Sequence, residues 1–131
     1  LFTLMELDAP LYVIRRHEGL PEEYGEAPVA VDAARAYFVR QVAVLEGRLA
    51  QGQPHILGDD FSAADILLST CLSWARFVGI ELSATLVAYQ ERLAARPAYA
   101  TAMERNFPPE AIAALRDQGK ARRPDAKEPE G

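Results

Sequence analysis

Residues 58–66, Gly-Asp-Asp-Phe-Ser-Ala-Ala-Asp-Ile, constrain the fold more than any other stretch, because they mark the start of a helix. Ser62 has the residue type of an N-cap, and Asp65 stands at the third helical position, from which its carboxylate reaches back to the Ser62 N–H. This is a capping box with Asp in place of the usual Glu or Gln. Phe61 and Ile66 have the spacing of a hydrophobic staple. The stretch therefore predicts a helix beginning at Ser62.

The same residues permit a catalytic interpretation, in which Ser62 and Asp65 belong to a nucleophilic site. No histidine stands at a motif spacing to act as the base, and the cap already uses both side chains. We therefore favour a structural role and expect Asp65→Ala to lower stability. Cys71 follows in the most apolar part of the chain, without a neighbouring cation, and is predicted to be buried and inert rather than nucleophilic.

The composition favours one globular domain. The chain has 131 residues, of which 50% are hydrophobic, and its net charge of −5 argues against a nucleic-acid-binding surface. A single cysteine excludes an internal disulfide and fits a reducing, cytoplasmic setting. We find no signal peptide and no apolar run near the roughly 18 residues of a membrane span. Because Leu1 already lies in a helical pattern, we expect a piece of a longer protein.

Apolar periodicity predicts an all-α fold. The first helix places leucine or isoleucine on one face at spacings of three and four, at Leu4, Leu7, Leu11 and Ile14. Pro10 should kink this helix, and residues 21–28 should form a loop. A second helix is predicted over about residues 29–50, with one apolar stripe: Val31, Ala34, Phe38, Val42, Leu45 and Leu49.

The remaining pattern predicts one long and several short helices. The third helix, over about 62–78, is apolar on most sides, which is typical of a central buried helix and makes Trp74 and Phe77 candidate core residues. A fourth helix is predicted over 83–95 and a fifth from Pro97 to about residue 105. A last short helix is expected over 108–118 and a disordered tail over 119–131.

Three blocks together resemble a known family: residues 6–12 (ELDAPLY), 57–66 (LGDDFSAADI) and 92–98 (RLAARPA). They resemble the C-terminal all-helical domain of glutathione S-transferases of the bacterial cytosolic type, and they cover roughly residues 1–107. The resemblance implies a bundle of about five to six helices with a buried central helix. The middle block is the family's capping-box and staple motif.

The resemblance also implies a division of labour. In the family a separate N-terminal thioredoxin-like domain binds glutathione, the co-substrate, and supplies the Ser, Tyr or Cys that acts with its sulfur. No such βαβ pattern occurs in this sequence, so no catalytic residue is assigned here. This half would form the hydrophobic pocket for a small electrophilic substrate and part of a homodimer interface. The whole protein would be a cytoplasmic detoxifying transferase.

The first helix offers the candidate substrate site. Its flank beside the core stripe carries Met5, Asp8, Tyr12 and Arg15, and the resemblance places this helix along the substrate cleft. A mixed flank of this kind is otherwise a boundary with solvent. Phe107 is a further candidate that would close the pocket. The two histidines lack a metal-ligand spacing, so no metal is predicted.

Two other function classes compete with the transferase. Helical domains of this type also serve as non-catalytic interaction modules in larger assemblies, which the absent N-terminal half favours. A ligand-binding regulator would require a DNA-reading helix and a basic surface, and neither is found. Continuation of the reading frame upstream of Leu1 into a βαβ segment distinguishes the enzyme from the module.

Overall fold

The structure, a computed structural model, describes residues 1–110 and 113 and is all-α there, as predicted. The described residues contain six helices and no β-strand: α1 (three contiguous segments, Thr3–Asp8, Ala9–Ile14 and Arg15–Gly19), α2 (Pro21–Tyr24), α3 (Pro28–Leu49), α4 (Ala63–Phe77), α5 (Ala84–Ala94) and α6 (Pro97–Asn106). None of these helices is long and apolar enough to cross a bilayer.

Pro10 alters α1 by widening its turns. The Ala9 N–H donates to the carbonyl of Leu4, five residues back, whereas an α-helix uses the carbonyl four residues back. Pro10 has no N–H and its ring crowds the preceding turn, so the wider segment before it accommodates the ring. A second wide segment, Arg15–Gly19, ends the helix.

The segment predicted as a loop over residues 21–28 contains the single helical turn α2, so that prediction is wrong in part. Pro21 occupies the first helical turn, where its fixed φ suits a helix and its missing N–H costs nothing. Gly25 ends the turn at φ +75°, a conformation that L side chains rarely adopt.

The chain divides into two compact units, Leu1–Leu93 and Ala94–Gly131. In the second unit α6 begins at Pro97 after an extended Arg96, and none of its residues is buried. The helix predicted over 108–118 lies outside the described residues except for 108–110 and 113. The tail predicted over 119–131 lies outside them entirely.

The core of the first unit joins four helices. All six stripe residues predicted on α3 are buried, and α1 contributes Leu7, Leu11 and Ile14. From α4 come Leu68, Cys71, Leu72 and Ala75, and from α5 Leu86, Tyr89 and Leu93. One side of α4 faces this core, where Leu68, Leu72 and Ala75 have no exposed surface, whereas Ile66 and Leu67 on its other side are 56% and 40% exposed.

Two expectations about apolar residues are wrong. Leu4 is 45% exposed although it shares the spacing of the buried leucines, whereas Leu7 in the same wide-turn segment has no exposed surface. Phe77 was expected in the core and is 87% exposed at the end of α4. An apolar sequence at the end of a helix therefore did not indicate burial there.

Arg35 of α3 ties the ends of two other helices together. Its guanidinium donates to the carbonyl of Val78, just after α4, at 2.6 Å. It also donates to both carboxylate oxygens of Glu18 in α1, at 2.8 and 2.9 Å. A cation at the carbonyl end of α4 complements the helix dipole, and the paired bonds to Glu18 fix direction as well as distance. These bonds help to hold α1 beside α4.

Candidate functional site

The capping box indicated by the sequence is present at the start of α4. The Ser62 N–H donates to Asp65 Oδ2 at 2.8 Å, and the Ser62 hydroxyl donates to the same oxygen at 3.2 Å. The Ser62 hydroxyl and the Asp65 carboxylate are therefore hydrogen-bonded to each other and to the backbone at the start of α4. The staple stays a prediction: the Phe61 ring lies edge-on to His55, with ring centroids 5.7 Å apart, and Ile66 is 56% exposed.

Asp65 does more than cap its helix, which the sequence did not show. Its side chain is fully buried, and Oδ1 accepts hydrogen bonds from the Ile56 N–H at 3.0 Å and from the Tyr89 hydroxyl at 2.6 Å. Nδ1 of His55 lies 3.6 Å from the same oxygen. One carboxylate thus joins the preceding loop, α4 and α5.

This environment determines the charge of Asp65. Burial by itself would raise the pKa of the carboxyl, but hydrogen bonds from Tyr89, Ile56 and Ser62 outweigh it and hold the pKa below its ordinary value. Burial, followed by the bond to Asp65, raises the pKa of the Tyr89 phenol. A carboxylate locked by four donors has no free lone pair directed at a substrate, so the network is structural.

Acid should destabilise the fold through Asp65. Because folding lowers the pKa of Asp65, its carboxylate stabilises the folded state above the unfolded pKa of about 3.9. This stabilisation is lost as pH falls through the folded pKa. We expect the free energy of urea unfolding to fall below about pH 4, less steeply in Asp65→Asn than in the wild type. Asp60→Asn, at an exposed aspartate, is the control and should keep the wild-type slope.

The seam between α1 and α4 gathers the chemically distinctive side chains of the first unit. The Tyr12 and Trp74 rings meet edge to face, with centroids 4.9 Å apart and planes at 85°. One turn earlier on each helix, the Asp8 carboxylate is close enough to Cys71 to act on its thiol. Asp8 precedes Tyr12 on α1, and Cys71 precedes Trp74 on α4. The two helices therefore run in the same direction along the seam.

Of the site residues predicted from the sequence, Tyr12 and Asp8 lie on this seam, and the roles of Met5 and Arg15 stay predictions. Met5 is 60% exposed, Tyr12 is 41% exposed and Asp8 is half-buried. Arg15 is exposed one turn beyond Tyr12. Phe107 belongs to the second unit, and its part in the site stays a prediction.

The sequence predicts Trp74 to be a core residue, and the structure places it at the edge of the core. It packs against the core cluster and is half-buried, so part of the side chain keeps contact with solvent. A signal was present in the sequence: Trp74 lies three residues after Cys71, on the side of α4 that faces α1. Only the position of Tyr12 on the neighbouring helix shows that the two rings meet.

Cys71 is buried beneath the seam, as predicted. Burial, and secondarily the Asp8 charge, raise the pKa of its thiol to about 12. Relative to the ordinary value of about 8.5, this leaves on the order of a thousandfold less thiolate at neutral pH. We expect the native chain to react with Ellman's reagent at pH 8 at least about a hundredfold more slowly than the urea-unfolded chain. Equal rates would contradict the burial of this thiol.

Among residues 1–110 and 113, no three His, Cys, Asp or Glu side chains come together as a metal-binding group. The chemistry that the first unit offers is therefore an aromatic seam with a carboxylate, beside a buried structural network.

The family model for the glutathione S-transferase C-terminal domain matches residues 28–105. The chain belongs to this family. It gave no match among curated proteins or among solved structures.

Proposed function

We propose that this chain is the C-terminal half of a glutathione transferase and that the α1–α4 seam forms its second-substrate site. The observation that supports this most is the Tyr12–Trp74 pair, an aromatic surface left partly open beside the half-buried Asp8. Apolar sites with a few polar groups at their edge are the usual form of small-molecule sites. In this proposal glutathione is the co-substrate, and the protein works in the cytoplasm.

In this proposal the chain positions the electrophile and does not activate the thiol of glutathione. The thiolate of glutathione is generated by residues outside the 131 of this chain, in the family's N-terminal domain. The seam holds the electrophile near the sulfur, which converts an encounter in solution into a reaction within one complex. The reaction is either conjugation at an electrophilic carbon or reduction. Reduction of a hydroperoxide takes two glutathione thiols and gives glutathione disulfide, an alcohol and water.

A homodimer through α1 and α3 is part of the same proposal. Val39 and Val44 on α3 are 51% and 56% exposed and lie about 140° apart around the helix, so a second subunit packed on α3 would cover one of them. Sedimentation velocity of the protein that contains this chain tests it. A dimer is expected, and a monomer at micromolar concentration would contradict it.

The kinetic test uses the natural protein that contains this chain. We expect Tyr12→Leu to raise KM for the electrophile about three- to tenfold, the range for loss of one aromatic pair, and to leave KM for glutathione unchanged. Tyr24→Leu is the matched control, because Tyr24 is an exposed tyrosine on α2, away from the seam. If Tyr12→Leu left KM for the electrophile unchanged, the seam would not be part of the substrate site.

A non-catalytic interaction module is the second candidate. The almost fully exposed Phe77 ring favours it, because isolated aromatic rings at this exposure are frequent anchors of protein interfaces. The discriminating observation is the gene itself. A reading frame that begins near Leu1, or a purified protein without transferase activity, supports the module and ends the enzyme proposal.

A further inference from the structure

An open groove of about 500 Å³ lies between α3 and the turn that follows α4. This volume is within the usual range of small-molecule sites. The apolar part of its lining includes Val39 on α3, which is 51% exposed, and Ile80 on the turn. The groove shares no lining residue with the α1–α4 seam. A second subunit packed on the Val44 side of α3 would leave it open.

The turn that forms one wall of the groove is fixed by a Schellman motif at the end of α4. The Gly79 N–H donates to the Arg76 carbonyl at 3.0 Å, and the Ile80 N–H donates to the Ala75 carbonyl at 2.8 Å. Gly79 has φ +82°, a left-handed conformation that favours glycine. A hydrogen bond from Arg35 also ties this turn to α3. The groove is therefore formed before a ligand arrives, which lowers the cost of binding.

The groove carries one cation and one anion that have no ion-pair partner in the described part of the chain. Arg40 on α3 is exposed, and its guanidinium lies 5.7 Å from the centroid of the Tyr37 ring. Glu81, on the turn after α4, is also exposed. The third charged residue of the lining, Arg35, is already paired with Glu18. Charge complementarity therefore favours a ligand with an anionic group for Arg40 and a cationic group for Glu81.

We propose that this groove binds a free α-amino acid with an apolar side chain. The carboxylate of the ligand pairs with Arg40, its ammonium group pairs with Glu81, and its side chain covers Val39. Both charged side chains are long and exposed, so they can converge on two groups carried by the same carbon. A monocarboxylate or an alkylamine satisfies only one of the two charges. The site is independent of the proposed transferase function, because it uses neither the seam nor glutathione.

The test titrates the 131-residue chain with L-leucine and follows the δ1 methyl group of Ile80 by ¹H–¹³C NMR. The Ile80→Val variant identifies this peak by its loss. Three comparison ligands each lack one group of leucine. 4-Methylpentanoate lacks the ammonium group, 3-methylbutylamine lacks the carboxylate, and glycine lacks the side chain.

We expect L-leucine to shift the Ile80 peak saturably, with a Kd of about 1–10 mM for a small ligand held by two exposed ion pairs. Each comparison ligand should bind at least about threefold more weakly, since it loses one ion pair or the apolar contact.

Variants of the two charged residues test the same pairing from the side of the protein. Arg40→Gln and Glu81→Gln should each weaken L-leucine binding about threefold, and Arg40→Lys, which keeps the charge, should bind more tightly than Arg40→Gln. Arg48→Gln and Glu91→Gln are matched controls at exposed positions outside the groove and should bind as the wild type does.

The absence of a saturable shift up to about 30 mM L-leucine would overturn the proposal. Equal affinity for any of the three comparison ligands would overturn it as well. The four ligands decide the matter on the wild-type chain even if a variant fails to fold. Because no titration contains glutathione or an electrophile, failure here is distinct from failure of the proposed function.

Discussion

Replacing Asp65 with alanine should destabilise the chain by about 3–5 kcal/mol, the cost typical of breaking a buried charged network by removing one partner. The carboxylate is fully buried and accepts hydrogen bonds from Ser62, Ile56 and Tyr89. Alanine leaves the Tyr89 hydroxyl and the Ile56 N–H buried without an acceptor, and it also removes the cap of α4. Since small domains are stable by only about 5–15 kcal/mol, a loss of this size is visible in yield as well as in melting.

Urea unfolding followed by circular dichroism measures this effect. Asp59→Ala and Asp60→Ala are matched controls, because they remove the same charge from exposed positions in the same loop and should change stability by less than about 0.5 kcal/mol. If Asp65→Ala unfolded at the wild-type urea concentration, the structural interpretation of the capping box would be wrong. A catalytic role for the pair would then need to be considered again.

Leu72→Ala should cost about 2–5 kcal/mol, because it opens a cavity in the middle of the buried helix α4. Leu72 has no exposed surface and packs in the cluster formed by α1, α3, α4 and α5. Thermal melting measures the loss, and the temperature of maximum slope should fall by several degrees or more.

Leu67 provides the control on the same helix. It is the same residue type and is 40% exposed, so Leu67→Ala should cost about 1 kcal/mol or less. Equal losses for the two variants would contradict the orientation of α4 in the core, and with it the position of the seam.

The fold was largely predictable because its signals are local. The α3 stripe repeats at spacings of three and four, and all six of its residues are buried. Ser62 and Asp65 lie three residues apart, so their hydrogen bonds follow from helix geometry alone. The errors arise where local signals mislead: Leu4 keeps the spacing of the buried leucines but is 45% exposed, and Pro21 starts a helical turn as readily as it ends one.

The site was less predictable because it depends on contacts between distant segments. Tyr12 and Asp8 were selected from one helix face, but their partners Trp74 and Cys71 lie more than sixty residues later. The second role of Asp65, its bond to Tyr89, spans 24 residues for the same reason. A single sequence shows which side chains share a helix face and does not show which two faces meet.

The central claim is that this chain carries the electrophile side of a glutathione transferase and that the thiol chemistry belongs to another domain. Isothermal titration calorimetry of the 131-residue chain with reduced glutathione tests it most directly. The account predicts no saturable heat up to millimolar glutathione. A saturable isotherm with a micromolar Kd would show that the chain binds glutathione itself and would contradict this division of labour.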